Sequence, residues 1–278
     1  MDNEVSELLE GALHSVLKGV GDKERRAQLE YALFPGGKRV RPKVFLTLIQ
    51  VLGGELSDDA FRVASAIELI HTASLIHDDL PSIDNDSFRR RKPAFHVEFG
   101  VGDAVLVGDL LYALAFKTLS EISDEKAKNG AFSVISAANA DVQLGQLLDI
   151  KNVRTPDEIK EVHLLKTASL FKASACSAYF FKASDSDVSV EILSEFGEAY
   201  GAYFQAINDL EDSEQTELFA RASGSDAETG RGSVMQWSDE DRMHYVRELR
   251  ERANAAASGI QASITSGTDS SLLEKLLF

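Results

Sequence analysis

Two clusters of carboxylates in this sequence have the residue types that bind hard metal ions. The first contains Asp78, Asp79 and Asp84 in the stretch HDDLPSIDND, and the second contains Asp209 and Asp212 in FQAINDLED. Oxygen ligands without cysteine suit Mg²⁺, which typically binds one or two carboxylates and completes its shell with substrate phosphates. Two such clusters facing each other across a cavity would clamp several Mg²⁺ ions.

The local sequence predicts where these acids lie on their helices. Pro81 predicts a helix end just after Asp79, because proline interrupts helical hydrogen bonding. That end carries partial negative charge, so three more anions there need positive compensation. Asp209 and Asp212 are three residues apart and share a helix face with Gln205 one turn earlier. The alternatives are a solvated acidic loop for the first cluster and an exposed helix end for the second.

Two basic stretches could provide the compensating charge. GGKRVRP, residues 36–42, approaches a helix that should start near Pro42, and FRRRKP, residues 88–93, lies beside the first acids. Helix-start N–H groups, flexible glycines and cationic side chains together favour anions such as phosphates. Two basic clusters suit two diphosphates, one held through metal and one gripped directly. Ordinary surface solubility is the alternative for each stretch.

Single polar residues also stand within apolar helical sequence. His71 precedes Asp78 by two helical turns, so the two share nearly the same face and we expect His71 to contact the ligand. A histidine satisfied within the core is the alternative. Lys166 and Thr167 interrupt HLLKTASLFKAS, where the lysine either reaches water or faces a cavity.

Composition narrows the class of protein. The chain has 278 residues, 44% of them hydrophobic, and a formal net charge of −16. This balance argues against nucleic acid as a partner, because phosphate backbones require a basic surface. A single cysteine, Cys176, excludes an intrachain disulfide and fits a reducing compartment. The acidic start is unlike a targeting peptide, and no apolar run reaches the ~20 residues of a membrane span, so we expect a soluble, cytoplasmic protein.

The spacing of apolar residues predicts an all-α fold, one domain of roughly ten helices over residues 1–278. Helical periodicity is clearest at 60–79, 102–122, 126–151, 156–183, 189–212 and again after 239. The helix at 102–122 is apolar on most sides, which predicts either deep core or a subunit interface. The polar, Gly/Ser-rich segment 213–236 reads as a long loop that could serve as a lid.

Several segments, in this order, resemble the trans-prenyl diphosphate synthases of the polyprenyl synthetase family, and most of all the short-chain geranylgeranyl and farnesyl diphosphate synthases. They are GGKRVRP, IELIHTASLIHDDLPSIDND, RRRKPAFHVEFG, VGD, GQLLD, KTASL and FQAINDLED. The resemblance implies the isoprenoid synthase fold, an all-α bundle around a deep central cavity, usually as a homodimer. It also implies condensation of isopentenyl diphosphate with an allylic diphosphate, in which Mg²⁺ draws off the allylic diphosphate and the homoallylic double bond attacks the resulting cation.

The resemblance assigns roles residue by residue, with about three Mg²⁺ ions once substrate is bound. The two metal-binding motifs correspond to Asp78, Asp79, Asp84, Asp209 and Asp212. The isopentenyl diphosphate pocket corresponds to Gly37, Lys38, Arg41, His71 and Arg90. An allylic diphosphate ligand corresponds to Arg89, and the residues lining the reacting centre correspond to Lys166, Thr167 and Gln205.

Product length depends on how deep the cavity runs. The growing chain should extend along the helix away from Asp78, past Ser74 and Ala73, about one turn or ~7 Å away. In the family an aromatic residue at this level resembles a plug that stops growth at fifteen carbons. Both residues are small here, which resembles the producers of geranylgeranyl diphosphate. Tyr112 and Phe116 are then candidates for a deeper floor.

Three positions depart from the family pattern. Asn208 opens the second acidic motif where aspartate is usual, Arg91 replaces a glycine, and Arg231 stands where a substrate-binding lysine is usual. These departures leave open a farnesyl diphosphate synthase, a class I terpene cyclase and a non-catalytic regulatory subunit of a synthase heterodimer. The intact first motif argues against the regulatory subunit, and the basic pocket argues against the cyclase.

Overall fold

Helices make up almost the whole of the structure, a computed structural model that describes residues 3–151, 155–223, 233–264, 271–274 and 276, with side chains outside 212–223. The all-α prediction is confirmed. The helices are α1 (Asn3–Lys18), α2 (Lys23–Leu33), α3 (Val40–Val51), α4 (Asp58–Asp78), α5 (Phe95–Phe99), α6 (Val101–Ser120), α7 (Glu125–Asp149), α8 (Pro156–Val162), α9 (Ser169–Ala178), α10 (Val190–Ser223), α11 (Asp239–Ala262) and α12 (Ser271–Glu274).

Three short helical segments and one hairpin complete the described part of the chain. A π-helical segment, His163–Ala168, joins α8 to α9, and 3₁₀ turns lie at Tyr179–Phe181 and Val234–Gln236. The only strands among the described residues are β1 (Phe88–Arg89) and β2 (Lys92–Pro93), which pair antiparallel.

The central helix, α4, carries the first acidic cluster to its site. Ser57 caps its N-terminus: the Ser57 hydroxyl accepts a hydrogen bond from the Ala60 N–H at 3.3 Å, which is the usual role of serine at this position. The helix is buried along most of its length against α1, α3 and α6. It ends at Asp78, three residues before Pro81, as the sequence predicts.

Two groups of buried apolar side chains hold the helices together. The larger group fills the space between α1, α3, α4, α6, α7, α9 and α10, and includes the fully buried rings of Phe45, Phe171 and Phe196. The smaller group joins α10 to α11 around Val234 and Tyr245. Because α10 contributes to both, it ties the C-terminal part of the described chain to the cavity described below.

The outer faces of α6 and α7 are apolar and exposed. Leu106 is 67% exposed, and this surface continues over Val105, Leu144, Leu147 and Ile150. The apolar helix predicted at 102–122 is therefore core on one side and apolar surface on the other. Among the described residues, no helix is both long enough and apolar enough to cross a membrane.

Part of the segment 213–236, which was predicted as a loop, is helical. Helix α10 continues to Ser223, and the 3₁₀ turn Val234–Gln236 closes the other end, while residues 224–232 lie outside the described residues. The prediction was wrong for 213–223 because SEQTELFARAS combines polar residues with good helix formers such as Glu, Gln, Leu, Ala and Arg. Only the stretch after it is rich in Gly and Ser.

Candidate active site

A cavity of about 960 Å³ lies between α4, α6, α7, the π-helical segment and α10. Charged and polar side chains line one end, namely Lys38, Arg41, His71, Asp78, Arg89, Arg90, Lys166, Thr167, Gln205 and Asn208. Apolar and neutral side chains line the rest, namely Ser74, Leu75, Val105, Tyr112, Val142, Gln143, Leu147, Leu170 and Phe204. The cavity therefore suits a ligand with an anionic head and a hydrocarbon tail.

The two adjacent aspartates of the first acidic cluster have different positions. Asp78 lines the cavity, and the Asp84 N–H donates to the Asp78 carbonyl at 2.9 Å, so the loop folds back over the helix end. Asp79 does not line this cavity. Its carboxylate, 2% exposed, accepts from Arg89 Nε at 2.9 and 3.1 Å and also pairs with Arg89 Nη2. Asp79 thus holds Arg89 in place, and its predicted metal role has no support from these contacts.

The basic end of the cavity contains a buried arginine beside a neutral histidine. Arg41 Nη1 lies 3.4 Å from His71 Nε2, and its guanidinium stacks 4.5 Å from the ring centre of Phe171. Burial lowers the pKa of Arg41 to about 10. Burial, followed by the charges of Arg41 and Arg90, holds the pKa of His71 well below its ordinary value, so the ring is uncharged near neutrality.

The basic end is prepared for an anion. Arg41 Nε is buried and has no hydrogen-bond partner within the described residues, which is costly unless a ligand supplies one. Lys38 and Arg90 line the same end. Gly37 leaves space for Arg90, because a Cβ at this glycine would lie 2.9 Å from Arg90 Nη2. These residues therefore come together as the sequence predicts.

Arg39 belongs to the same basic run but has a different function. Its guanidinium bonds to Glu68 at 2.6 Å, to Glu10 at 2.9 Å and to the Leu33 carbonyl at 2.8 Å. Burial opposes the charge, but these carboxylates outweigh it and raise the pKa of Arg39. Arg39 therefore joins α1, α2 and α4 to the start of α3.

The part of the cavity lining near Asp78 brings together the three residues predicted to line the reacting centre. Lys166 Nζ lies 2.7 Å from Asp149 Oδ2 and 3.9 Å from Asp78 Oδ2. Thr167 Oγ1 donates to Gln205 Oε1 at 2.9 Å. The glycine of GQLLD, Gly145, makes this possible, because any side chain there would collide with the Lys166 backbone.

The second acidic cluster presents an amide to the cavity. Asn208 lines the cavity, whereas Asp209 does not. Asp209 Oδ1 accepts from Gln205 Nε2 at 2.8 Å, and Oδ2 accepts from Ser233 Oγ at 3.0 Å and from the Val234 N–H at 3.2 Å. Oδ2 also lies 3.3 Å from His163 Nε2.

Burial alone would raise the pKa of Asp209, but the hydrogen bonds from His163, Gln205 and Ser233 lower it on balance. Sequence reasoning missed His163 and Ser233, because neither belongs to an acidic or basic cluster. The side chain of Asp212, and Arg231 altogether, lie outside the described residues. Their predicted roles stay predictions.

Of the four residues predicted to set product length, some line the cavity and others do not. Ser74 lines the cavity, whereas Ala73 is fully buried and does not. Tyr112 lines it as well, and its hydroxyl accepts a hydrogen bond from Gln143 Nε2 at 2.7 Å. Phe116 instead packs against Phe132, with ring centres 5.6 Å apart, so the structure does not support it as a floor residue.

The metal-binding side chains among the described residues suit Mg²⁺, which takes part of its coordination shell from substrate. They do not suit a metal ion that is coordinated by protein side chains alone. Among the described residues, no three His, Cys, Asp or Glu side chains gather in a way that could hold a metal. Asp78 offers a carboxylate at the cavity, and Asp84, whose N–H bonds to the Asp78 carbonyl, carries a second carboxylate on the adjoining loop, outside the cavity lining. Mg²⁺ commonly binds through one or two carboxylates and completes its shell with phosphate and water. These two residues would therefore hold the metal.

Comparisons with known proteins place the chain in a family. The polyprenyl synthetase family model matches residues 22–257. Geranylgeranyl pyrophosphate synthase 3, chloroplastic, from Arabidopsis thaliana is 33% identical over 84% of this chain and 69% of its own length. Farnesyl diphosphate synthase from Micrococcus luteus is 35% identical over 71% of this chain and 70% of its own length.

A solved structure agrees with this relationship. A geranyltransferase from Helicobacter pylori, complexed with magnesium and isoprenyl diphosphate, superposes with a TM-score of 0.77 at 25% identity, covering 99% of this chain and 96% of that one. The chain therefore belongs to the polyprenyl synthetase family of prenyltransferases and has the isoprenoid synthase fold.

Proposed function

We propose that this protein is a short-chain trans-prenyl diphosphate synthase that joins isopentenyl diphosphate to an allylic diphosphate, with geranylgeranyl diphosphate as its product. One observation carries the proposal: a single cavity combines the Asp78 carboxylate, a group of basic side chains and an apolar wall. A substrate pair with two diphosphates and two hydrocarbon tails matches these three surfaces.

Each diphosphate has its own set of side chains. Lys38, Arg41 and Arg90 bind isopentenyl diphosphate directly, with neutral His71 holding the Arg41 guanidinium in position. The allylic diphosphate binds between Asp78 and Asp84 through Mg²⁺. Mg²⁺, when bound, neutralises the charge that develops on the departing diphosphate.

The remaining wall residues act on the leaving group and the cation. Arg89, oriented by Asp79, and Lys166, oriented by Asp149, present charges to the diphosphate. The C–O bond breaks with its electron pair on the diphosphate, the homoallylic double bond attacks the allylic carbon, and a proton leaves the adduct. Thr167 and Gln205 place fixed oxygen dipoles beside the cation, which favours it in a site shielded from water.

A further proposal concerns the number of ions. The count of about three Mg²⁺ that the resemblance implies needs ligands from α10 as well as from Asp78 and Asp84. Gln205 and Asn208 are the polar residues of α10 that line the cavity, and Asp212 is the remaining candidate from the sequence.

Product length is proposed from the apolar wall. Ser74 is small, so a tail can pass this level of α4. The Tyr112–Gln143 hydrogen bond joins α6 to α7 beyond it, and we assign this pair as the floor. This assignment favours a twenty-carbon product; farnesyl diphosphate, with fifteen carbons, is the alternative.

Assembly is proposed from the exposed apolar surface of α6 and α7. Val105, Leu147 and Ile150 are exposed and also line the cavity, so this apolar surface reaches the cavity. Contiguous apolar patches mark interaction sites. A second copy of this chain would cover the patch and seal that side of the cavity, giving a homodimer. We also propose one domain for the whole chain, since α10 contributes to both apolar groups.

The test is incubation with Mg²⁺, isopentenyl diphosphate and allylic primers of five, ten and fifteen carbons, with products identified by mass spectrometry. We expect a twenty-carbon diphosphate from the unchanged protein and none from Asp78→Ala. Asp239→Ala, an exposed acid on α11, is the matched control and should leave the product unchanged.

Other outcomes point to the alternatives. A fifteen-carbon product would keep the synthase and refute the assigned floor. A cyclic hydrocarbon from a single allylic diphosphate would indicate a terpene cyclase. The absence of turnover, with activity restored by a partner subunit, would indicate a regulatory subunit.

A further inference from the structure

The carboxylate of Asp209 already has hydrogen-bond partners within the protein. A carboxylate offers about four lone-pair sites. In the structure, the Gln205 amide contacts Oδ1, and the Ser233 hydroxyl, the Val234 N–H and the His163 ring contact Oδ2. The side chain is 10% exposed and does not line the cavity.

Two of these donors come from the segment that leads back into α11. Residues 233–237 pass beside α10, and Val234 is fully buried in the smaller apolar group. Trp237 packs against Tyr245, with ring centres 5.2 Å apart, and against the Lys160 ammonium at 5.7 Å. Asp209 provides the polar half of this attachment.

The third donor connects Asp209 to the cavity wall. Gln205 donates through Nε2 to Asp209 and accepts through Oε1 from Thr167. These two bonds fix which way the amide points. With Asp209 as an acceptor, Gln205 must keep its oxygen on the side of Thr167, and both residues line the cavity.

We propose that Asp209 is a positioning residue that orients Gln205 and holds residues 233–237 against α10, and that it is not a ligand of Mg²⁺. The residue acts through Gln205, so it contacts neither substrate nor metal. The attachment of residues 233–237 to α10 is a property of the protein without substrate. The effect of Asp209 on catalysis rests on the synthase function proposed above.

The sole tryptophan of the chain, Trp237, reports directly on residues 233–237. In EDTA, without substrate, we expect Asp209→Asn to increase acrylamide quenching of Trp237 about twofold and to shift its emission to longer wavelength. An amide has one acceptor oxygen where the carboxylate has two, so the donors of Gln205, Ser233 and Val234 cannot all be satisfied. Ser233→Ala removes one donor and should produce a smaller change in the same direction. Ser258→Ala, whose hydroxyl bonds to Asn254 within α11, is the matched control and should change nothing.

Kinetics separates positioning from metal binding. We expect Asp209→Asn to lower kcat about tenfold while the Mg²⁺ concentration at half-maximal rate and the KM for allylic diphosphate stay within about twofold. A metal ligand would behave in the opposite way: Trp237 quenching in EDTA would be unchanged and the Mg²⁺ requirement would rise about tenfold or more. That result would overturn the proposal.

Two further outcomes are also informative. If Asp209→Asn does not fold, Ser233→Ala alone decides, because unchanged quenching in that variant refutes the attachment. If neither the unchanged protein nor any variant turns over substrate, the proposed synthase function is wrong. The EDTA fluorescence then still confirms or refutes the role of Asp209 in holding residues 233–237.

Discussion

Asp78 ends α4 with its carboxylate at the cavity, whereas Asp209, on α10, has both carboxylate oxygens bound to donors of the protein. The first acidic region is open to a ligand and is surrounded by Arg41, Arg89 and Arg90. The second is internally satisfied and presents Asn208. Acids of similar pattern therefore serve different purposes, and the difference lies in whether the side chain lines the cavity, as Asp78 does and Asp209 does not.

Stability should follow the same division. Buried charges without partners and left-handed backbone conformations cost free energy, and such costs concentrate at functional sites. The first region contains a buried arginine Nε without a described partner, a buried neutral histidine and a hairpin turn with positive φ at Arg90 and Arg91. The second region also has buried nitrogens without a described partner, at His163 Nδ1 and Trp237 Nε1, but none of its described non-glycine residues has a positive φ. We expect the first region to be shaped for binding at a cost to folding.

The largest effect should come from replacing the open carboxylate. We expect Asp78→Asn to lower kcat about 10³-fold, because it removes the charge that holds metal against the allylic diphosphate. Asn208→Ala, at the opposite wall, should lower kcat about tenfold or less. Steady-state rates at saturating Mg²⁺ measure both, and equal losses would contradict the division between the two regions.

A carboxylate placed in the second region should strengthen the binding of Mg²⁺ there. Asn208 faces the cavity with an amide, so Asn208→Asp would supply a carboxylate across from Asp78. We expect the Mg²⁺ concentration at half-maximal rate to fall roughly tenfold, about 1.4 kcal/mol. Asn254→Asp, exposed on α11, adds the same charge elsewhere and should leave it unchanged. A rise in the Mg²⁺ requirement would show that repulsion between carboxylates dominates.

Sequence patterns predicted the elements of both regions better than their contacts. Pro81 correctly placed the end of α4, and the three-residue spacing placed Asp209 on α10. The pattern could not reveal that Asp209 meets Ser233, because that contact depends on how the chain returns after α10. Arg39 and Arg41 are two residues apart in one basic run and both line the cavity, yet the Arg39 guanidinium is bound to Glu68 and Glu10, whereas Arg41 Nε has no hydrogen-bond partner within the described residues. Such choices depend on packing between distant segments, which local spacing does not encode.

The buried histidine gives a pH test of the first region. The pKa of His71 is well below its ordinary value of 6.5 in the folded protein, first because of burial. The unfolded chain therefore binds a proton below about pH 6.5 that the folded chain does not, and stability falls as pH decreases.

We expect His71 to contribute a loss of about 1.4 kcal/mol per pH unit below that point. Urea unfolding at pH 5.5 and 7.5 measures it. His71→Gln should abolish this contribution, whereas His244→Gln, exposed on α11, should retain it. A slope that is unchanged in His71→Gln would assign the effect to another group.

The smallest expected effect concerns the turn of the hairpin. Arg90 and Arg91 have φ of 53° and 65°, a left-handed conformation that costs a non-glycine residue about 1 kcal/mol. Arg91 is exposed and does not line the cavity, so Arg91→Gly should stabilise the protein by about 0.5–1 kcal/mol with unchanged kcat. Arg250→Gly, exposed within α11, makes the same change in a right-handed helix and should destabilise it by about 1 kcal/mol. Urea midpoints compare the two variants, and destabilisation by Arg91→Gly would mean that its side chain contributes more than the turn costs.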